Sequence, residues 1–142
     1  MKKFIKFTGV IMLAAMVFAS CSKEKQLKGR LEGTWNIDRL DATISGTNIP
    51  FTNCGTYTFN SDGSGVSSIT LIGTTPDVTN FTWTNTATTI TTIETATATN
   101  PSPNKTPLVY TVKTNEKTKQ EWTATETDNG VTSTGIFTLT KK

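Results

Sequence analysis

The chain of 142 residues contains no histidine. That removes the side chain that most often moves protons near neutral pH and most often ligates zinc. It has two cysteines, too few for a disulfide framework. No apolar run reaches the ~20 residues needed to cross a bilayer as a helix. Serine and threonine hydroxyls abound, yet no nucleophile elbow or activating base accompanies them. Gly63-Ser64-Gly65 is a hairpin turn rather than a phosphate loop, because no helical pattern follows it. Glu121 and Glu126 share a strand pattern at opposite parity, and Glu94, Glu116, Glu121 and Glu126 read as solvated outer-face charges. No catalytic residue, metal ligand or cofactor is expected, and the chain is not expected to be an enzyme.

What is present begins at the N-terminus. Lys2, Lys3 and Lys6 precede the ten-residue apolar segment Val10 to Ala19, and Phe18-Ala19-Ser20-Cys21 closes it. Basic residues, a short apolar core and small residues in that order form a signal peptide. The ending resembles the lipobox of bacterial lipoproteins, with Phe18 standing where leucine is commonest. The resemblance implies cleavage before Cys21, acyl chains on that cysteine, and anchorage in the cell envelope at the outer membrane, on its periplasmic face or at the cell surface. A plain secretory signal is the alternative.

Removing residues 1–20 takes away three of the 14 basic residues and none of the 11 acidic ones, leaving 11 of each. The mature chain is formally neutral, so nucleic acid is not an expected partner. About 120 residues suit one domain, expected to be a monomer. Cys54 is then the one remaining thiol and reads as a small buried hydrophobe. Threonine occurs 32 times; it is β-branched, suits a pleated half-wet surface and is a mediocre helix former.

Residues 1–20 are read as signal peptide, 21–31 as lipidated N-terminus and polar tether, and 32–142 as the folded domain. From Gly33 onward, alternating segments are separated by turn residues, the pattern of strands with one buried face. Strands are expected at about Gly33–Ile44, Thr56–Asn60, Gly65–Ile72, Asn80–Thr84, Thr88–Thr95, Leu108–Thr114, Lys119–Glu126 and Thr132–Thr140. The opposite parity of Ile90 and Ile93 predicts a bulge or twist. Asp128-Asn129-Gly130 is a strong hairpin turn, whereas Pro101, Pro103 and Pro107 make 96–107 a loop. No helix is expected after the signal peptide.

Eight sequential antiparallel strands close into an up-and-down barrel or split into a sandwich. Loop lengths favour the barrel. Alternate connections in a meander lie at opposite ends, and one set is uniformly short, while the other holds the long segments Ser45–Cys54, Gly73–Val78 and Ala96–Pro107. That describes a cup with a mouth.

Leu31-Glu32-Gly33-Thr34-Trp35 resembles the Gly-x-Trp opening of lipocalins. With Gly55–Asn60 and Gly135–Lys142, the mature chain looks like the small lipocalin-like lipoproteins of Bacteroidota. The resemblance implies that Trp35 plugs the closed end of the barrel. Lipocalins set an arginine near the end of the last strand against that tryptophan; here Lys141 and Lys142 are available, and the Thr-Asp-Tyr signature is absent. The orientation that follows puts the N-terminal segment at the closed end and the mouth away from the membrane.

The barrel interior would gather Trp35, Tyr57, Phe59, Phe81, Trp83, Tyr110, Trp122 and Phe137. An eight-stranded barrel is wide enough for its own side chains or one small ligand, and the number of large aromatics slightly favours the filled form. Tyr57, Phe59, Phe81, Trp83, Tyr110 and Trp122 are the candidate ligand-binding residues, for a small apolar or amphipathic molecule. The alternative is a cell-surface interaction or structural module whose filled barrel presents loops to a protein or glycan, with Phe51 the one aromatic in the first long loop.

Overall fold

The alternation between Trp35 and Leu139 resolves into eight strands, and the computed structural model, which describes residues 22–73, 75–98, 100–128 and 130–142, rolls them into one sheet. They are β1 Gly33–Ile44, β2 Thr47–Phe59, β3 Ser64–Ile69, β4 Asp77–Asn85, β5 Thr89–Glu94, β6 Leu108–Asn115, β7 Lys119–Asp128 and β8 Val131–Lys141. Each pairs antiparallel with its neighbour in sequence, and β1 closes the circle on β8 from Trp35↔Lys141 to Ile44↔Ser133. The eight-stranded up-and-down barrel is thus observed. Cys21 and the signal peptide at 1–20 lie outside the described residues.

Residues 22–31 are helical, and this segment, α1, is not the extended polar tether expected from its charge. Leu27 and Leu31 stand one turn apart, so they share a helix face, and both are fully buried. Lys23, Glu24, Lys25, Gln26, Lys28 and Arg30 around them are good helix formers. A strand pattern is indeed missing there; the helical spacing of two leucines was the overlooked signal.

The placement of α1 follows from its polar contacts. Asn85, the last residue of β4, donates to the Glu24 carbonyl at 3.0 Å, and Arg30 donates to the Asn115 carbonyl beside the β6–β7 turn. α1 therefore crosses the end of the barrel that carries the tight turns at 60–63, 86–88 and 116–118. Its last carbonyls are met from inside. Trp35 Nε1 donates to Leu31 O at 2.7 Å, and Lys141 Nζ donates to Arg30 O at 3.0 Å and Glu32 O at 2.7 Å. A cation at a helix C-terminus also opposes the negative end of the helix dipole. The same ammonium lies 5.1 Å from the Trp35 ring centroid, in cation–π range. Lysine thus occupies the place for which the lipocalin resemblance implied an arginine. Gly33, at φ 114°, turns the chain from α1 into β1, and a Cβ there would come within 3.2 Å of the Lys141 stem.

The opposite end holds the connections at 70–76 and 95–107, two of the three long loops expected there. The third is different. Ser45 and Gly46, at φ 50° and 83°, form a two-residue hairpin turn of the kind whose twist suits paired strands. β2 then runs from Thr47, so the expected loop Ser45–Cys54 is mostly strand. β2 pairs with β3 only over Gly55–Phe59. Along Thr47–Asn53 one side of β2 has no ladder partner, and Pro50 is tolerated there.

β5 carries no register shift; Ile90 faces the core and Ile93 faces out. The bulge expected there is absent because the parity change simply puts one isoleucine on each face. Register shifts occur instead in β1 between Ile37 and Arg39 and in β6 between Val112 and Thr114.

Trp35→Ala should cost about 3–5 kcal/mol of unfolding free energy, close to the whole stability of many small domains. Equilibrium urea unfolding followed by circular dichroism measures it, and a midpoint barely moved by the substitution would contradict the plug.

Candidate functional site

The interior is divided into two levels. The lower level, next to α1, is solid. Leu27, Leu31, Trp35, Ile37, Ile90, Trp122 and Leu139 have no exposed surface. Gln120 is also fully buried and satisfied, its amide donating to Asn115 Oδ1 at 2.8 Å and Glu116 O at 3.0 Å and its oxygen accepting from Trp122 Nε1 at 3.2 Å. Trp83 donates to the Asn60 and Ser64 carbonyls at 3.2 and 3.0 Å, stitching itself to the β2–β3 turn.

Aromatic rings form the boundary above. Tyr57 is their hub, with ring centroids of Phe59, Phe81, Tyr110, Trp122 and Phe137 5.7 to 6.2 Å away. Such offset and edge-to-face pairs add stabilisation beyond buried area. Register explains one of them. Phe59 and Phe81 both oppose Gly65 across β3, and a Cβ on Gly65 would lie 2.3 Å from the Phe81 ring, so glycine lets the two rings approach to 5.5 Å.

Over this floor, at the mouth end, lies a cavity of about 640 Å³. Tyr57, Phe81 and Tyr110 line it, together with Ser67, Ile69, Thr79, Thr92 and Leu108; Glu94 and Glu126 stand at its sides, and Asn104, Thr106 and Pro107 of the 95–107 loop form part of the wall. Of the six aromatics put forward as ligand-binding, three reach this cavity. Phe59, Trp83 and Trp122 belong to the solid level and do not line it. The filled interior favoured by aromatic content is therefore correct for the lower half only.

The outward assignment of Glu94 and Glu126 is also corrected. Both line the cavity. Glu94 shares parity with Ile90 and Thr92, and Glu126 shares parity with Trp122 and Ala124. The periodicity that placed the aromatics inside contained these acids too, and they were set outside because of their charge. Near the mouth the inner face is open to water, so a carboxylate can occupy it without the penalty of full burial. Glu94 accepts from the Asn104 backbone N–H at 3.0 Å, which ties the 95–107 loop to the rim.

The polar centre of the floor is the pair of tyrosine hydroxyls, 3.0 Å apart, either of which can donate. Burial raises the Tyr57 phenol well above its ordinary pKa, and the adjacent Tyr110 raises it further. Burial also raises Tyr110, opposed by its hydrogen bonds with Tyr57 and Thr92 and reinforced by the charges of Glu126 and Glu94. Cys54 is buried as expected, and burial lifts its thiol above the ordinary value, so it is a poor thiolate. Among the described residues, no group of three or more cysteine, aspartate or glutamate side chains could hold a metal.

No family model and no curated protein matches the chain. Solved structures do. A lipocalin-like protein from Bacteroides uniformis superposes with a TM-score of 0.55 at 14% identity, covering 80% of this chain and 99% of that one. A protein from Bacteroides eggerthii gives 0.52 at 11%, covering 79% and 99%. A protein bound to DFHBI gives 0.54 at 17%, covering 84% and 99%. At these identities the likeness establishes the fold, a lipocalin-like closed barrel.

The chain's two tyrosines are this buried pair, which makes alkaline titration selective. Both phenols hold their protons to higher pH in the folded than in the unfolded chain. The stability they contribute is complete below the unfolded pKa, ~10, and is lost as pH rises beyond it toward the folded values. The tyrosinate absorbance should therefore lag behind that of a free phenol and rise together with loss of the folded circular-dichroism signal. Tyrosinate formation near pH ~10 in a still-folded chain would contradict the buried pair.

Proposed function

We propose that this chain is a non-enzymatic lipoprotein of a bacterial envelope whose barrel holds one small apolar or amphipathic molecule in the cavity over Tyr57, Phe81 and Tyr110. The observation that carries the reading is the cavity itself. Its volume of about 640 Å³ lies within the ~300–1,000 Å³ typical of small-molecule sites, and it is open at one end above a solid floor. The lipocalin-like fold supports a binding role, as does the neighbour of like fold that is bound to DFHBI. The absence of histidine and of any nucleophile–base pattern in the sequence supports the non-enzymatic part.

The anchor is proposed from the lipobox-like segment ending at Cys21, with the chain held at the outer membrane, on its periplasmic face or at the cell surface, as a monomer. α1 docks at the closed end, so an anchor attached ahead of it leaves the mouth facing away from the membrane. A second reading, a module that presents its mouth loops to a protein or glycan, draws on Leu71 and Ile72 in the 70–76 connection, the latter 90% exposed. Isolated exposed apolar residues are common, however.

Native mass spectrometry of the protein purified gently from its own cells tests the first reading. A discrete added mass that leaves on activation is the expected result. A bare mass, together with ready binding of a surface protein or glycan, would favour the second. Cys21→Ala should leave the barrel folded by circular dichroism yet move the protein into the aqueous phase of a detergent partition, since acyl chains contribute about 0.8 kcal/mol per buried CH₂. Persistent detergent-phase partition of that variant would count against the lipid anchor.

A further inference from the structure

The charge at the cavity mouth is of one sign. Glu94 on β5 and Glu126 on β7 both line it, from the two strands on either side of β6, and no lysine or arginine does. Among the described residues the one salt bridge is Arg39–Asp41, on β1. Neither glutamate is neutralised by an ion pair, and the hydrogen bond Glu94 accepts comes from a neutral backbone N–H. Lys105 sits between the lining residues Asn104 and Thr106 but does not itself line the cavity. Both acids line the same cavity as Tyr110.

Below the acids the wall changes character. Ser67 is only 7% exposed, lines the cavity and makes no side-chain hydrogen bond among the described residues, so its hydroxyl is left for an occupant. Thr79 and Thr92 add hydroxyls at neighbouring positions, and the rings of Tyr57, Phe81 and Tyr110 form the base. An occupant satisfies this wall best if it has an aromatic or branched apolar body to lie on the rings and a positive head to meet the two carboxylates. Aromatic faces also attract cations. An anionic amphiphile such as a fatty acid would instead bring its carboxylate toward two like charges, a repulsive arrangement that selects against it.

We infer that the cavity is selective for organic cations, taking a protonated amine or quaternary ammonium with a compact apolar body, the head against Glu94 and Glu126 and the body on Tyr57, Phe81 and Tyr110. This rests on the ligand-binding reading above and narrows it from apolar or amphipathic molecules in general to those of positive charge.

Three probes with one tail and different heads test it: 4-phenylbutylamine, 4-phenylbutanol and 4-phenylbutyrate, each titrated calorimetrically into the full chain at neutral pH. The amine should bind about tenfold more tightly than the alcohol, the effect of two partly screened ion contacts, and the advantage should shrink as salt is added. The carboxylate should be weakest. Replacing both acids (E94Q with E126Q) should lower amine affinity to that of the alcohol, with the 95–107 loop still held because glutamine also accepts from Asn104. Glu121→Gln, at the opposite parity on β7, should alter none of the three. Alcohol or carboxylate binding as tight as the amine would overturn the charge selectivity while leaving the cup intact. Absence of binding by all three probes would overturn the ligand-binding reading together with it.

Discussion

Closure of one end of the barrel rests on the meeting of Trp35, Lys141 and the last turn of α1. Without α1, the apolar lower core would open directly to water, because a closed barrel still has two ends. The helix can seal that end only if its terminal carbonyls find donors, since buried backbone acceptors without partners are costly. Trp35 supplies one donor from the first strand and Lys141 supplies two from the last. The two residues that pair where β1 meets β8 therefore also bind the helix. The circular closure of the sheet and the capping of its end are one structural event, and it joins positions near the two extremes of the folded chain.

That seal determines the character of what lies above it. With one end occupied by Leu27, Leu31 and Trp35, the remaining aromatics pack upward as far as Tyr57 and Tyr110. There the inward positions change from large rings to serine, threonine and glutamate, and packing stops. The result is a cup with a packed, buried base and an acidic rim. The hydroxyl pair at the boundary suits both sides, since each tyrosine gives its ring to the core and its oxygen to a hydrogen bond. A packed floor of this kind is the preorganised surface on which a ligand loses least by binding.

Much of this was legible locally. Trp35, Tyr57, Phe59, Phe81, Trp83, Tyr110, Trp122 and Phe137 all announce an inner face by alternation, and the turn residues between them divide the strands. Errors arose where one local signal was read in preference to another. The charges of 22–31 masked the spacing of Leu27 and Leu31, and the charge of Glu94 overrode its parity with Ile90 and Thr92. In each case the information was in the chain, but its weight depended on a neighbour distant in sequence.

The sequence by itself determined the all-β class, the number and order of the strands, the inward identity of the aromatics and the exclusion of histidine chemistry. These follow from period-two patterning and turn residues, whose physics acts within a few positions along the chain. Only the tertiary structure decided that α1 folds back as a lid, that Tyr57, Phe81 and Tyr110 face a cavity while Phe59, Trp83 and Trp122 fill the core, and that two acids from separate strands share one mouth. Height within a barrel is set by the stagger of every strand against the next. It accumulates around the whole circle, through the β1 and β6 register shifts, and no single strand carries it.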